Sequence, residues 1–273
     1  MKVASFRDVG LSYVEKGSGT SVLLIHGSLN DYRSWKFQID ALATRYHVVA
    51  YSRRNHFPNG WIDYPADYSV EVERDDLVGL INALGLKTPV HLVGSSYGAF
   101  VAALVGRDYP KLVRSVVLGE PPIVSLLAKD SASRESYLAF ERKFADMVLR
   151  PLRNSDYESA ARGFIDSIMG AGTFNRLPTE AQEMMLQNSR SLVAELPTPE
   201  SDPFTTEDAM KISAPTLLVG GQRSLPMFQT IMARLAQSLP HATVVTIRDS
   251  SHAPYSTNPP LYNKTVLNFL LNH

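Results

Sequence analysis

The stretch Gly94-Ser95-Ser96-Tyr97-Gly98 constrains this chain more than any other part of its sequence. It follows a short, mostly apolar run at residues 89–93 and precedes seven residues without a polar side chain, 99–105. This pattern predicts a strand, a tight turn and a buried helix, with Ser96 at the apex and glycines where side chains would not fit. A serine hydroxyl presented in this way becomes a nucleophile once a base accepts its proton. The alternative is a structural turn whose serine caps the following helix.

A second apolar run ends in a glycine turn upstream, at Leu23-Leu24-Ile25-His26-Gly27-Ser28. Together with the Ser96 turn, it resembles the α/β-hydrolase family, in which the loop at this position contributes to the oxyanion hole. The segments that resemble the family cover residues 22–35, 46–59, 89–122 and 214–271. The resemblance implies an α/β-hydrolase fold, with a mostly parallel sheet flanked by helices and an inserted helical cap.

One short segment differs from the family pattern. The family often carries Asp-x-Arg-Gly-x-Gly after its fourth strand, whereas this chain has Ser52-Arg53-Arg54-Asn55-His56-Phe57. Asn55 replaces a glycine, and asparagine adopts the left-handed conformation more readily than most residues. We therefore expect the loop to keep its shape.

The composition argues against several classes of function. The 273 residues carry 27 basic and 27 acidic side chains, and this balance does not favour a nucleic-acid partner, which would need a basic surface. The chain has no cysteine, so it offers no disulfide, thiolate chemistry or cysteine metal site. Neither a signal peptide nor a run of about 18 apolar residues is present, and we expect a cytoplasmic protein with no membrane partner.

Short apolar runs alternate with helical periodicities along the chain, which indicates a mostly parallel sheet covered on both faces. The predicted strands are residues 22–26, 47–51, 90–93, 113–118, 216–219 and 243–247. A helix is predicted to begin after Ser69, its N-cap, and to end at Gly85. A final helix is expected after Pro259-Pro260.

The middle of the chain interrupts this alternation, because about 90 residues separate two sheet strands, far more than an ordinary connection. Aromatic and apolar residues recur there at helical spacing, and Thr179 with Gln182 predicts a capping box at the start of a further helix. We interpret residues 121–214 as a helical cap inserted into a core of residues 1–120 and 215–273. In the family such an insertion usually covers the site; the alternative is a set of packing helices that do not contact substrate.

His252 is the predicted base among the seven histidines. It follows the last predicted strand and precedes the final helix, which resembles the position of the family's histidine loop. The chain order of serine, acid and histidine is preserved as well. A serine hydroxyl is barely nucleophilic at neutral pH unless an imidazole accepts its proton.

The acid is predicted at an unusual position. Most family members carry an aspartate after the strand that corresponds to residues 216–219, but here that loop, residues 220–226, has no carboxylate. Glu120 ends the strand at 113–118, at the same edge of the sheet as Ser96. Some haloalkane dehalogenases and zearalenone-type lactonases have their acid at this alternative place, and Leu118-Gly119-Glu120-Pro121 resembles the lactonases locally. Asp249 is the second candidate, and a salt-bridge role that anchors the cap is the alternative for Glu120.

Two backbone amides are predicted to form the oxyanion hole. The Tyr97 amide directly follows the nucleophile, and the Ser28 amide follows His26-Gly27. Two such donors stabilise the charge that develops on a carbonyl oxygen.

These residues predict a serine hydrolase that cleaves a small-molecule carboxylic ester or lactone through an acyl-enzyme, without a metal or an organic cofactor. A serine nucleophile argues against the related haloalkane dehalogenases and epoxide hydrolases, which use an aspartate there. Two alternatives stay open: a carbon–carbon bond hydrolase with the same triad, and a hydrolase-like receptor with a slow triad. The sequence leaves the oligomeric state open.

Overall fold

The computed structural model describes residues 1–63, 68–127, 131–196 and 203–273, apart from the side chains of residues 131–133 and 136. Within these residues eight strands form one sheet: β1 Lys2–Phe6, β2 Val9–Lys16, β3 Ser21–Ile25, β4 His47–Tyr51, β5 Val90–Ser95, β6 Val113–Gly119, β7 Thr216–Gly221 and β8 Ala242–Ile247. Their spatial order is β1-β2-β4-β3-β5-β6-β7-β8. Strands β1 and β2 pair antiparallel, and β2 pairs antiparallel with β4, whereas β3 to β8 run parallel.

The parallel part of the sheet consists of the six predicted strands, each within two residues of its predicted ends. Strands β1 and β2, which pair antiparallel at one side of the sheet, were not predicted from the sequence. This mostly parallel sheet agrees with the fold that the sequence resemblance implies.

The helices follow in chain order: α1 Lys36–Leu42, α2 Val70–Ala83, α3 Tyr97–Asp108, α4 Ser131–Phe144, α5 Arg150–Arg153, α6 Tyr157–Met169, α7 Thr173–Arg176, α8 Thr179–Gln187, α9 Leu192–Glu195, α10 Thr206–Met210, α11 Pro226–Ser238, α12 Pro254–Thr257 and α13 Pro259–Leu271. A π-helical turn, Ala145–Leu149, joins α4 to α5. In the described part of the chain, no helix is both long and apolar enough to span a membrane.

The sheet is covered on both faces because successive strand residues point to opposite sides. Leu23 and Ile25 of β3 pack in one apolar cluster with α2, α3 and α11. Val22 and Leu24 of the same strand pack in a second cluster with α1 and α13. Parallel strands buried on both faces read as continuous apolar runs, and this is why they could be recognised in the sequence.

Three local predictions can be compared with the structure. Ser69 is the N-cap residue of α2, as predicted, although its side chain accepts no capping hydrogen bond. Asn55 adopts the left-handed conformation with φ 58°, which confirms the expectation for this loop. The capping box at Thr179 is wrong: Pro178 precedes the helix, and the Gln182 side chain donates to the Leu177 carbonyl instead.

The cap (residues 121–214) has its own apolar cluster, which includes Val148, Phe164 and Leu192. Leu29 and Phe228 of the core join this cluster, so the cap packs directly against the core. Near both ends of the cap the chain packs against the sheet instead, with Ile123 and Phe204 as examples. The boundaries at residues 121 and 214 stay a prediction.

Candidate active site

Ser96 lies in a strained turn between β5 and α3. Its backbone has φ 52° and ψ −122°, an unfavourable combination for a residue with a side chain. Its N–H donates to the Gly119 carbonyl at 2.7 Å, which fixes the turn to β6. The flanking glycines are required sterically, because a Cβ atom on Gly98 would lie 2.3 Å from the Ile25 carbonyl oxygen, and one on Gly94 would lie 2.4 Å from the Gly98 carbonyl oxygen. The sequence thus places strain at the one serine that the turn exposes.

The structure brings His252 and Glu120 together. His252 lies in the loop between β8 and α12, and its Nδ1 is 2.8 Å from Glu120 Oε2. Glu120 directly follows β6, is 2% exposed, and accepts a second hydrogen bond at Oε1 from the Gly221 N–H at 2.7 Å. Because a carboxylate only accepts, Nδ1 carries the proton and Nε2 is left as the basic nitrogen.

The basic nitrogen of His252 is buried and unpaired. No described residue, Ser96 included, makes a hydrogen bond to Nε2. Bonds between a nucleophile and its base are often long in the absence of substrate and tighten in the Michaelis complex. Nε2 therefore has no competing hydrogen-bond partner among the described residues.

The loop after β7 is where related enzymes often carry an aspartate. Here it leaves room for the Glu120 carboxylate, and its Gly221 N–H donates a hydrogen bond to that carboxylate. A Cβ atom on Gly220 would lie 3.0 Å from Glu120 Oε1, and one on Gly221 would lie 2.1 Å from the Ser251 carbonyl oxygen. The two glycines thus allow the Glu120 carboxylate to lie against the end of β7. Asp249 points elsewhere: it is largely exposed, and its Oδ1 accepts from Arg223 at 2.6 Å.

The two predicted oxyanion donors flank Ser96. Tyr97 is the first residue of α3, so its N–H has no intrahelical partner and lies at the positive end of the helix dipole. The loop with Ser28 packs tightly against Ser96, since a Cβ atom on Gly27 would lie 3.0 Å from Ser96 Cβ. Ser28, Ser96 and Tyr97 all line one cavity.

This cavity has a volume of about 1080 Å³ and lies between the core and the cap. Its wall is mainly apolar, and aromatic rings from both parts of the chain contribute to it: Phe100, Tyr137, Phe140, Phe144, Phe164, Phe204 and Phe228. In the described lining, three acidic residues, Glu71, Glu141 and Glu195, outnumber the basic Arg234. Among the described residues, no group of three or more acidic or histidine side chains has the geometry of a metal site.

Phe228 contacts the predicted base and was missed by sequence reasoning. The Phe228 and His252 ring centroids are 4.1 Å apart with an interplanar angle of 33°. Phe228 lies in the first turn of α11, directly after the loop that lacks an acid, and it also lines the cavity. The contact between the two rings restricts how the imidazole can turn.

We expect Phe228→Leu to lower kcat roughly tenfold, because a misplaced base loses alignment with its nucleophile. Steady-state kinetics on an ester substrate measure this effect. The control is Phe164→Leu, which shortens another aromatic side chain of the cavity wall and should change KM more than kcat. An unchanged kcat in Phe228→Leu would show that the ring does not hold the base.

A buried cluster of charged residues lies beside the oxyanion loop, and it too was missed. The Arg53 guanidinium pairs with Glu73 of α2 at 2.9 Å and with Glu195 of α9. Burial opposes ionisation of Glu195, but Arg53, together with His56 and Ser28, outweighs it and holds the pKa of Glu195 at about 2. Burial raises the pKa of Glu73 despite the same guanidinium. Arg53 therefore has two carboxylate partners, Glu73 from the core and Glu195 from the cap region.

Comparisons with known proteins agree with this geometry at the level of the family. A family model described as "Alpha/beta hydrolase family" matches residues 22–264. The chain is 26% identical to a 2-(acetamidomethylene)succinate hydrolase of Mesorhizobium japonicum, across 96% of this chain and 93% of that protein. Among solved structures, a carboxylesterase from Bacillus subtilis superposes with a TM-score of 0.76 at 19% identity, across 100% of this chain and 91% of that one. An enol-lactonase from Burkholderia xenovorans LB400 superposes with a TM-score of 0.66 at 20% identity, across 99% and 100%. At these identities the two structural matches establish the fold alone.

Proposed function

The chain belongs to the alpha/beta hydrolase family, and we propose that it is a serine hydrolase that cleaves a carboxylic ester or lactone through an acyl-enzyme on Ser96. One observation carries this proposal. Ser96 lies in a strained turn at the wall of a large apolar cavity, and the His252 imidazole is oriented by a buried carboxylate, Glu120, and contacts Phe228 of the same cavity wall. The esterase and lactonase among the structural neighbours support the same reaction class.

The proposed reaction has two halves. Ser96 Oγ attacks the substrate carbonyl while His252 Nε2 accepts the hydroxyl proton, and Glu120 stabilises the resulting imidazolium. The amides of Tyr97 and Ser28 stabilise the oxyanion, and the imidazolium then returns its proton to the leaving alkoxide. Water next attacks the acyl-enzyme with His252 as base, which releases the carboxylic acid and restores Ser96. A lactone follows the same steps, with its alcohol still attached to the acyl group.

The cavity supports a bulky, uncharged substrate. Its aromatic wall favours apolar acyl or alcohol groups. Glu71 and Glu141 in its lining disfavour a negatively charged substrate. The name of the Mesorhizobium relative refers to a succinate, a dicarboxylic acid, and these acidic residues support a different specificity for the present chain.

A hydrolysis screen tests the proposal. We expect p-nitrophenyl butyrate to give a kcat/KM up to about 15-fold above the acetate, because it adds two CH₂ groups and each one, when buried, contributes roughly 0.8 kcal/mol. The p-nitrophenyl hemisuccinate should be cleaved more slowly than the butyrate, since it adds a carboxylate. Neutral lactones belong in the same screen, with Ser96→Ala as the blank. Cleavage of a carbon–carbon bond in a β-diketone, without cleavage of any ester or lactone, would contradict the proposal.

A further inference from the structure

We propose that the cap segment Asn188–Glu195 completes the oxyanion hole when it packs on the core, with Arg53 as the positioning residue. This inference rests on the proposed function, because it assigns the hole to the Ser28 and Tyr97 amides. The segment directly follows α8 and includes α9, and it contacts the core loops that carry Asp31, Arg53 and Phe57. These contacts connect the position of the cap to the geometry of the site.

Arg53 holds the loop that carries Ser28. Its backbone N–H donates to His26 Nε2 at 2.9 Å, and its side-chain Nε donates to the His26 carbonyl at 3.0 Å. Burial lowers the pKa of His26 well below its usual value, and Arg53 and His56 lower it further, so the ring stays neutral. With Nε2 as the acceptor, Nδ1 carries the proton and donates to the Gly27 carbonyl at 2.8 Å. The hydrogen bonds from Arg53 to His26 and from His26 to Gly27 thus connect Arg53 to the residue before Ser28.

Arg53 also contacts the residue that supplies the other donor. Its guanidinium carbon lies 4.7 Å from the centre of the Tyr97 ring, over the ring face. Tyr97 is buried deeply enough that its pKa is raised well above the usual value, with Glu195 contributing to the rise. One side chain therefore touches the elements that carry both proposed oxyanion donors.

The cap supplies one of the two carboxylates that pair with Arg53. The side chains of Arg53 and Glu195 are both 0% exposed, so the pair has no solvent to replace a lost partner. A guanidinium in such a site depends on its carboxylates. Separation of Glu195 from the core would leave Arg53 with Glu73 alone and would weaken its hold on both loops.

A neighbouring cap residue holds the same two loops by hydrogen bonds. Asn188 Nδ2 donates to Asp31 Oδ2 at 2.8 Å, three residues after Ser28. Asn188 Oδ1 accepts from the Phe57 N–H at 2.7 Å, four residues after Arg53. Both ends of the segment Asn188–Glu195 thus bind to the loops around the hole. A substrate that prevents the cap from packing here would meet an incomplete oxyanion hole, which makes the contact a basis for selectivity.

The test compares two cap-to-core ion pairs. Glu195→Gln removes the charge that faces Arg53, whereas the control Glu180→Gln removes the exposed pair with Lys36, which has no contact with Arg53. The readouts are kcat and KM for p-nitrophenyl butyrate and the inhibition constant of phenylboronic acid, which forms a tetrahedral anion on the serine. We expect Glu195→Gln to lower kcat and to weaken boronate binding by about 10- to 100-fold, with little change in KM. Glu180→Gln should match the wild type in all three.

The outcomes distinguish a failure of this inference from a failure of the proposed serine hydrolase function. If Glu195→Gln is folded by circular dichroism and keeps wild-type kcat and boronate affinity, the coupling is refuted while the serine hydrolase assignment stands. If Glu195→Gln does not fold, Asn188→Ser removes the hydrogen bonds and keeps the ion pair, and it must show the same loss of kcat and boronate affinity with KM preserved. A change confined to KM in either variant would make the segment a substrate contact and refute the inference. A wild-type protein that neither cleaves esters nor binds the boronate would refute the proposed function as well.

Discussion

Ser96→Ala is expected to lower kcat by about 10⁶-fold, the loss seen when the nucleophile of a serine–histidine–acid site is removed. Without Oγ no acyl-enzyme can form, and the remaining donors stabilise only a direct attack by water. The rate of p-nitrophenyl butyrate hydrolysis at saturating substrate measures this loss. The change should leave the fold intact, because alanine fits the turn no worse than serine does.

The matched control is Ser95→Ala, one residue earlier. Ser95 is 4% exposed, and its side chain hydrogen-bonds with Tyr255. We expect this variant to keep its turnover within a few-fold of the wild type. If Ser95→Ala is inactive and Ser96→Ala is active, the nucleophile is misassigned.

Glu120→Gln is expected to lower kcat by about 10³- to 10⁴-fold, as an amide in place of the acid does in a protease triad. Glu120 accepts hydrogen bonds from two donors, the Gly221 N–H and His252 Nδ1. A glutamine has only one acceptor oxygen, and the Gly221 amide has no freedom to turn away. The NH₂ group then faces His252 Nδ1 and favours the tautomer with the proton on Nε2. That tautomer cannot accept a proton from Ser96.

Asp249→Asn is the control for the acid. Asp249 has φ 56° and pairs with Arg223 at the surface, and asparagine tolerates this conformation. We expect turnover close to that of the wild type, with circular dichroism confirming that both variants are folded. A large loss in Asp249→Asn with an active Glu120→Gln would move the acid to the histidine loop. If both variants remain active, the enzyme works as a dyad or with an acid from the cap.

Much of the fold could be predicted because it depends on local patterns. Parallel strands such as β3 are buried on both faces, and the glycines around Ser96 mark a turn that admits no side chain. Glu120 could be singled out because the loop at 220–226 lacks a carboxylate, and the structure then finds its carboxylate 2.8 Å from the imidazole of His252. The catalytic roles of these residues stay predictions.

The features that the sequence did not reveal depend on contacts between distant segments. Arg53 and Glu195 are 142 positions apart and come from a core loop and a cap helix, so no local spacing relates them. Phe228 looks like an ordinary apolar residue of an amphipathic helix until the fold brings it against His252. A signal for Arg53 was nevertheless present, because two consecutive arginines in a buried loop require carboxylates, and Glu73 and Asp76 of α2 pair with Arg53 and Arg54.

The central claim is that Ser96 is a covalent nucleophile, and a fluorophosphonate tests it most directly. The probe reacts with an activated serine and leaves a stable phosphonyl group that mass spectrometry can locate. We predict one phosphonyl group per chain, on the peptide that contains Ser96, and none in Ser96→Ala. Attachment to Ser95, or an unlabelled protein that circular dichroism shows to be folded, would contradict the account.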